Sequence, residues 1–224
     1  MATVLLLRHG RTTANASGEL AGRRPVDLDD AGVSQAERAG ERLRQIPLKT
    51  VVSSPLLRCR RTVELALPDA EIVEDDGLTE CGYGDWEGKQ LKDLAKDPLW
   101  PIVQAHPSAA VFPNGEAMAD MSARAVATVR RWDEKITAEH GPDALWLACS
   151  HGDVIKAILA DALGLHLDQF QRIVADPASI SVVRYTPFRP FVVRVNEGGD
   201  LASLVPPKNE TAASDAAVGG GAGT

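Results

Sequence analysis

Two histidines in this chain share one local setting. Arg8-His9-Gly10 follows the short apolar run Val4 to Leu7, and Ser150-His151-Gly152 follows the apolar stretch Ala144 to Cys149. An apolar run that stops at a polar, glycine-containing turn reads as a strand buried on both faces, and the end of such a strand is where an α/β sheet presents side chains to a ligand. A helical pattern begins directly behind His151, so its imidazole lies by a helix N-terminus, a setting that favours anions. Between the two histidines, Ser53-Ser54-Pro55-Leu56-Leu57-Arg58 again follows a predicted strand. Arg58, on the first helical turn, can reach back over the helix start and grip phosphate oxygens in two-pronged fashion. Arg60 and Arg61 read as a solvated helix face. Two strand-end histidines and an arginine on one sheet can face a single pocket.

The elements that must hold these residues alternate between strand and helix. Strands are expected at Val4 to Leu7, Thr50 to Ser53, Glu71 to Glu74, Ala144 to Cys149, Ser181 to Tyr185 and Phe191 to Val195. Helices are expected from Asp29 or Asp30 to about Pro47, from a Ser54-Pro55 start to about Leu67, at Gln90 to Lys96, at Glu116 to Glu139 and at Asp153 to Leu163. The clearest of them carries Met118, Met121, Ala125, Val129, Trp132 and Ile136 as one apolar stripe, which is core. Gly77 to Gly88 reads as a glycine-rich surface loop, and Lys89 to Asn114 holds too many prolines for one regular element. Such alternation predicts an α/β fold, a three-layer α/β/α sandwich with a mainly parallel central sheet and helices on both faces. The domain is expected to occupy residues 1–200, and residues 201–224, rich in Ala, Gly and Pro, to form a disordered tail.

Composition narrows the chemistry further. The 224 residues, 44% hydrophobic and 25% charged, suffice for one domain with a real core. No apolar run approaches a membrane span, and Arg8-His9 cuts the opening apolar stretch too short for a secretory signal, so no membrane association and a cytoplasmic location are expected. The net charge of −7, from 24 Lys+Arg against 31 Asp+Glu, argues against nucleic acid as a partner. An anionic substrate must then be drawn by a local cluster of positive charge. Cys59, Cys81 and Cys149, odd in number and widely spaced, read as buried free thiols, with no metal site. Asp27, Asp29 and Asp30 are better explained by helix capping than by a bound cation. His106, His140 and His166 have no partner at ligand spacing.

Five ordered motifs resemble the histidine phosphatase superfamily, the phosphoglycerate-mutase-like phosphatases. They are Arg8-His9-Gly10-Arg11-Thr12-Thr13-Ala14-Asn15, Ser54-Pro55-Leu56-Leu57-Arg58 with Thr62, Leu78-Thr79-Glu80-Cys81-Gly82-Tyr83-Gly84-Asp85-Trp86-Glu87-Gly88, Pro113-Asn114-Gly115-Glu116, and Ser150-His151-Gly152. The likeness spans about residues 4–195. It implies that His9 matches the nucleophile that becomes phosphohistidine, that Arg8, Arg58 and His151 match the phosphate clamp, that Asn15 fits a supporting pocket residue, and that Glu80 matches the proton donor. Without the other motifs Glu80 would read as an ordinary loop carboxylate.

The chemistry explains the residue types. A phosphate monoester carries close to two negative charges, and its transition state spreads charge over the equatorial oxygens, so fixed cations and donors supply most of the catalysis. The nucleophile must be a neutral imidazole with its second nitrogen held by a hydrogen bond, expected to a main-chain carbonyl, whereas a protonated His151 would add to the positive field. The two histidines therefore need opposite protonation states. A leaving alkoxide needs a proton, which Glu80 can give and later take from water. The expected function is a metal-independent, cofactor-free phosphatase acting on a small phosphate monoester. A phosphoglycerate-mutase-type phosphomutase and a non-catalytic phosphate-binding or scaffolding protein are the alternatives. Arg23, Arg24 and Arg124 stay open between substrate contact and solvent, and the oligomeric state is open, a homodimer included.

Overall fold

The first strand, β1 (Thr3–Arg8), is continuously apolar because both its faces are covered: Val4 and Leu6 enter one core, Leu5 and Leu7 the other. The computed structural model describes residues 1–199 and Gly219. After β1 come α1 (Thr13–Ser17), α2 (Asp30–Leu43), β2 (Leu48–Ser53), α3 (Leu57–Ala66) and β3 (Ile72–Glu74). A segment with two short 3₁₀ turns leads to α4 (Leu91–Leu94) and α5 (Trp100–Ala105), then to the long α6 (Met118–His140), β4 (Leu145–Ser150), α7 (Gly152–Ala162), β5 (Ile180–Arg184) and β6 (Phe191–Glu197).

The six strands form one sheet in the order β3-β2-β4-β1-β5-β6. β3, β2, β4 and β1 run parallel; β5 pairs antiparallel with β1, and β6 pairs antiparallel with β5, so β5 alone is reversed. One core contains Ala39 and Leu43 of α2 with Cys59 and Val63 of α3, packed on Leu5, Leu7, Leu147 and Cys149. The other holds Met121 and Val129 of α6, Ile155 and Ile158 of α7, and Trp146 of β4. Helices thus cover both faces, and the expected three layers are present.

Several boundaries differ from expectation for identifiable reasons. Helix α3 begins at Leu57 behind an extended Leu56 with no side-chain cap, not at a Ser54-Pro55 start. The Ser54 hydroxyl accepts from Leu56 N–H at 3.3 Å, ahead of the helix, and is also hydrogen-bonded to His151 Nε2 at 2.8 Å. Within the proline-rich excursion α5 forms after all, because Pro101 sits in its first turn, where a missing N–H leaves no bond unmade. Trp132 is only half-buried, and its Nε1–H donates to Asp75 Oδ2 at 2.7 Å. Most of the expected disordered tail lies outside the described residues.

Candidate active site at the sheet edge

The strand order brings three sequence-distant turns together. In β2, β4 and β1, which are adjacent and parallel, Ser53 pairs with Cys149 and Ser150 with Arg8, so all three strands end at one edge. The chain beyond them is still bound to its neighbours: His9 N–H donates to Ser150 O at 3.0 Å and Ser54 N–H to Cys149 O at 2.9 Å. Gly10 is required here, because a Cβ would meet the Gly32 carbonyl oxygen at 2.5 Å where α2 crosses the turn. Gly10 N–H donates to Thr62 Oγ1 at 2.9 Å, and that hydroxyl donates to Arg58 O at 2.7 Å, so one threonine joins the β1 turn to α3.

His9 and His151 meet at this edge with ring centroids 5.3 Å apart and planes inclined at 59°. His9 is hydrogen-bonded through Nδ1 to Gly10 O at 2.7 Å. A carbonyl can only accept, so Nδ1 carries the proton and Nε2 keeps its lone pair. Burial first, then the charges of Arg58 and Arg8, holds His9 well below the ordinary histidine range. His151 is also pushed well below it, by burial, Arg58, His9 and Arg8. Both imidazoles therefore favour the neutral form, and the opposite protonation states expected from sequence are not created by the protein's own groups.

The two arginines are almost wholly buried. Arg8 Nη1 donates to Ala175 O at 2.7 Å, and burial lowers its pKa to about 10, which leaves it charged at neutral pH. Arg58 donates from Nη2 to Gly22 O at 2.7 Å and from Nη1 to Arg24 O at 3.2 Å, while its buried Nε has no hydrogen-bond partner among the described residues.

Glu80 is 3% exposed, not the ordinary loop carboxylate its sequence neighbourhood suggests. Burial, followed by the negative charge of Asp153, raises its pKa to about 7 against the pull of Arg58 and Arg8. Its segment is tied down by main-chain bonds: Ser150 Oγ donates to Leu78 O at 2.7 Å, and Arg124 donates from Nη1 to Thr79 O at 2.6 Å and from Nη2 to Glu80 O at 3.1 Å. Arg23 Nε also donates to Glu80 O, at 3.1 Å, and both arginines pair with Glu116. Arg23 and Arg124 thus do what neither sequence alternative described: they clamp the glutamate's backbone. Arg24 pairs with Glu19.

A cleft opens here, lined by His9, Asn15, Arg58 and Glu80, with Leu20, Tyr83 and Leu91 among its walls. Asn15 forms a capping box with Thr12, its Oδ1 accepting from Thr12 N–H at 3.1 Å, so the amide NH₂ is what it has left to offer. The structure therefore brings His9, Arg58, Glu80 and Asn15 to one cleft, with Arg8 and His151 buried around it. Sequence reasoning passed over Tyr83 and Asp153. Tyr83 OH donates to Asp153 Oδ2 at 2.7 Å, in a buried pair whose only sequence signal was an aromatic in a glycine-rich loop and an acid beside a histidine. Cys59, Cys81 and Cys149 are all free and buried, and the described residues contain no cluster of metal-ligating groups.

A family profile of the histidine phosphatase superfamily (branch 1) matches residues 4–198. The chain belongs to this superfamily. An acid phosphatase of Mycobacterium tuberculosis is 32% identical over 183 residues, 80% of this chain and 84% of that protein. A 2,3-bisphosphoglycerate-dependent phosphoglycerate mutase of Gloeobacter violaceus is 29% identical over 77% of this chain and 81% of its own. The solved structure of Bacillus stearothermophilus YhfR superposes with a TM-score of 0.80 at 25% identity, covering 88% of this chain and 98% of that one. The superfamily thus supplies both phosphatase-like and mutase-like relatives, and no helix among the described residues is long and apolar enough to cross a membrane.

Proposed function

We propose that this histidine phosphatase hydrolyses small phosphate monoesters through a phosphohistidine at His9. The observation that carries the reading is the Nδ1 hydrogen bond from His9 to Gly10 O, which leaves Nε2 as a lone-pair donor in a cleft shared with Arg58 and Glu80. His9 Nε2 attacks phosphorus in line, an N–P bond forms and the ester P–O bond breaks. Arg8, Arg58 and the Asn15 amide stabilise the equatorial oxygens. Glu80, protonated near neutrality, gives its proton to the departing alcohol oxygen. It then takes a proton from water, whose oxygen attacks phosphorus and releases orthophosphate from Nε2.

A dianionic phosphate beside the two rings supplies the charge asymmetry that the protein's own groups do not. It favours the imidazolium form of His151, which does not attack, and so adds a third cation to the clamp. Hydrolysis is favoured over mutase chemistry because, among the described residues lining the cleft, Arg58 is the one arginine or lysine. A second phosphate would find no partner of its own there. The mechanism calls on no metal ion, since two guanidinium groups and an imidazolium occupy the Lewis-acid role.

The test incubates the protein with p-nitrophenyl phosphate and alkyl phosphates in EDTA, and with phosphoglycerates. Release of inorganic phosphate unaffected by EDTA, with an acid-labile phosphoryl label on the protein, is the expected result. Isomerised phosphoglycerate without phosphate release would assign the mutase reaction instead, and inertness toward every ester would leave only phosphate binding.

A further inference from the structure

Beside the cleft lies a buried carboxylate that the proposed reaction does not use. Asp153, in the first turn of α7 two residues after His151, has a side chain with no solvent exposure. Its Oδ1 accepts from Lys156 Nζ at 3.2 Å, and Lys156 is itself held by Gln171 and lies 4.7 Å over the Phe170 ring. Oδ2 accepts from Tyr83 OH at 2.7 Å, and burial and Asp153 keep that phenol protonated, a permanent donor. Oδ2 accepts one further bond, at 3.0 Å, from the backbone N–H of Gly219.

Gly219 lines the same cleft as His9, Arg58, Glu80 and Tyr83. The Asp153 carboxylate thus lies behind two residues that line the cleft, Tyr83 and Gly219, and is hydrogen-bonded to both. A carboxylate has about four lone-pair directions, and here one of them is occupied by the amide of a residue that lines the cleft.

We propose that Asp153 is the specificity-determining acceptor of this enzyme: its Oδ2 takes a hydrogen bond from a hydroxyl or ammonium group on the alcohol part of the substrate, at the position the Gly219 amide fills in the resting chain. The substrate class is the phosphate monoester of a small alcohol that carries a second donor and no second anion. Three features of the cleft agree. Leu20, Ala21 and Leu91 give the alcohol part an apolar wall, Glu19 is already paired with Arg24, and a substrate carboxylate would meet the charge of Asp153 with no cation of its own to hold it. The assignment rests on the phosphatase reading above.

The test measures kcat/KM of the full chain for 3-aminopropyl and 3-hydroxypropyl phosphate against butyl phosphate, which has the same length and no donor, with p-nitrophenyl phosphate as reference. A charge-assisted bond predicts a preference of about ten- to a hundredfold for at least one donor-bearing ester. The variant D153N should reduce that preference to within about threefold. Because Lys156 loses its partner in D153N, a second variant, Gly219→Pro, is read as well: it removes the amide hydrogen, and its φ cannot reach the +77° found there. It should lower KM for the donor-bearing esters severalfold and leave that for butyl phosphate unchanged. If p-nitrophenyl phosphate is not hydrolysed at all, the phosphatase reading fails and this proposal falls with it. If it is hydrolysed but butyl phosphate matches both donor-bearing esters, or the preference survives in D153N, Asp153 is not the acceptor. An unchanged KM in Gly219→Pro overturns the claim that the amide stands in the substrate's place.

Discussion

His9 and His151 face one another at 5.3 Å between ring centroids although 142 positions separate them in the chain, and both are held neutral by burial and by Arg58 and Arg8. A pair of neutral imidazoles in the field of two guanidinium groups is a site short of negative charge. A dianion entering it gains the full field of the arginines at low dielectric and makes one of the two rings worth protonating.

His9→Ala removes the only group proposed to attack phosphorus. Turnover of p-nitrophenyl phosphate and of alkyl phosphates is expected to fall by at least about 10⁴-fold, and the acid-labile label to disappear. Retained labelling would move the nucleophile elsewhere.

The pH profile separates the acid from the nucleophile. With Glu80 titrating at about 7, kcat/KM for alkyl phosphates should fall about tenfold per unit above that pH, because the leaving alkoxide loses its proton donor. His9, depressed well below the ordinary range, contributes no limb near pH 6.5. Glu80→Gln should abolish most alkyl phosphate turnover while sparing p-nitrophenyl phosphate, whose leaving group needs no proton. Equal losses on the two substrates would remove Glu80 from that role.

The same glutamate makes a stability prediction of definite sign. Its folded pKa of about 7 lies above the ordinary 4.5, so the folded chain binds the proton more tightly. That contribution is fully present below pH 4.5 and is lost as pH rises to 7. Glu80→Gln keeps an acceptor for Cys81 N–H and cannot ionise. Urea unfolding should show the variant more stable than wild type at pH 8, by up to about 3 kcal/mol, and nearly equal at pH 4. The reverse order would mean the carboxyl is not destabilised by its surroundings.

Arg124 tests whether the backbone clamp matters to the chemistry. Arg124→Met keeps the apolar stem but loses the bonds to Gly77 O, Thr79 O and Glu80 O and leaves Glu116 without one partner. A destabilisation of about 2–4 kcal/mol is expected, with a larger fall in kcat for alkyl phosphates than for p-nitrophenyl phosphate. Arg124→Lys should not rescue it, since one ammonium cannot span three carbonyls and a carboxylate. Identical losses on both substrates would make Arg124 merely structural.

Strand-end positions were legible in the sequence because a strand buried on both faces shows up as an uninterrupted apolar run. Where Val4 to Leu7 and Ala144 to Cys149 stop, the side chains of His9 and His151 come to the sheet edge. Arg58 was legible for a similar reason, lying on the first turn behind a strand. Motif order then pointed to Glu80 and Asn15. Periodicity reports burial one element at a time, however, and says nothing of which strands are neighbours. Only the order β2-β4-β1 set Ser54 against His151 and His9 beside Ser150. The surroundings of Glu80 were equally out of reach, because a glycine-rich loop has no period and takes its place from tertiary bonds to Arg23, Arg124 and Ser150. The tertiary structure alone turned an apparent surface carboxylate into a buried acid and set Asp153 behind Tyr83 and Gly219 of the cleft wall, since desolvation and long-range hydrogen bonds exist only once the chain has folded.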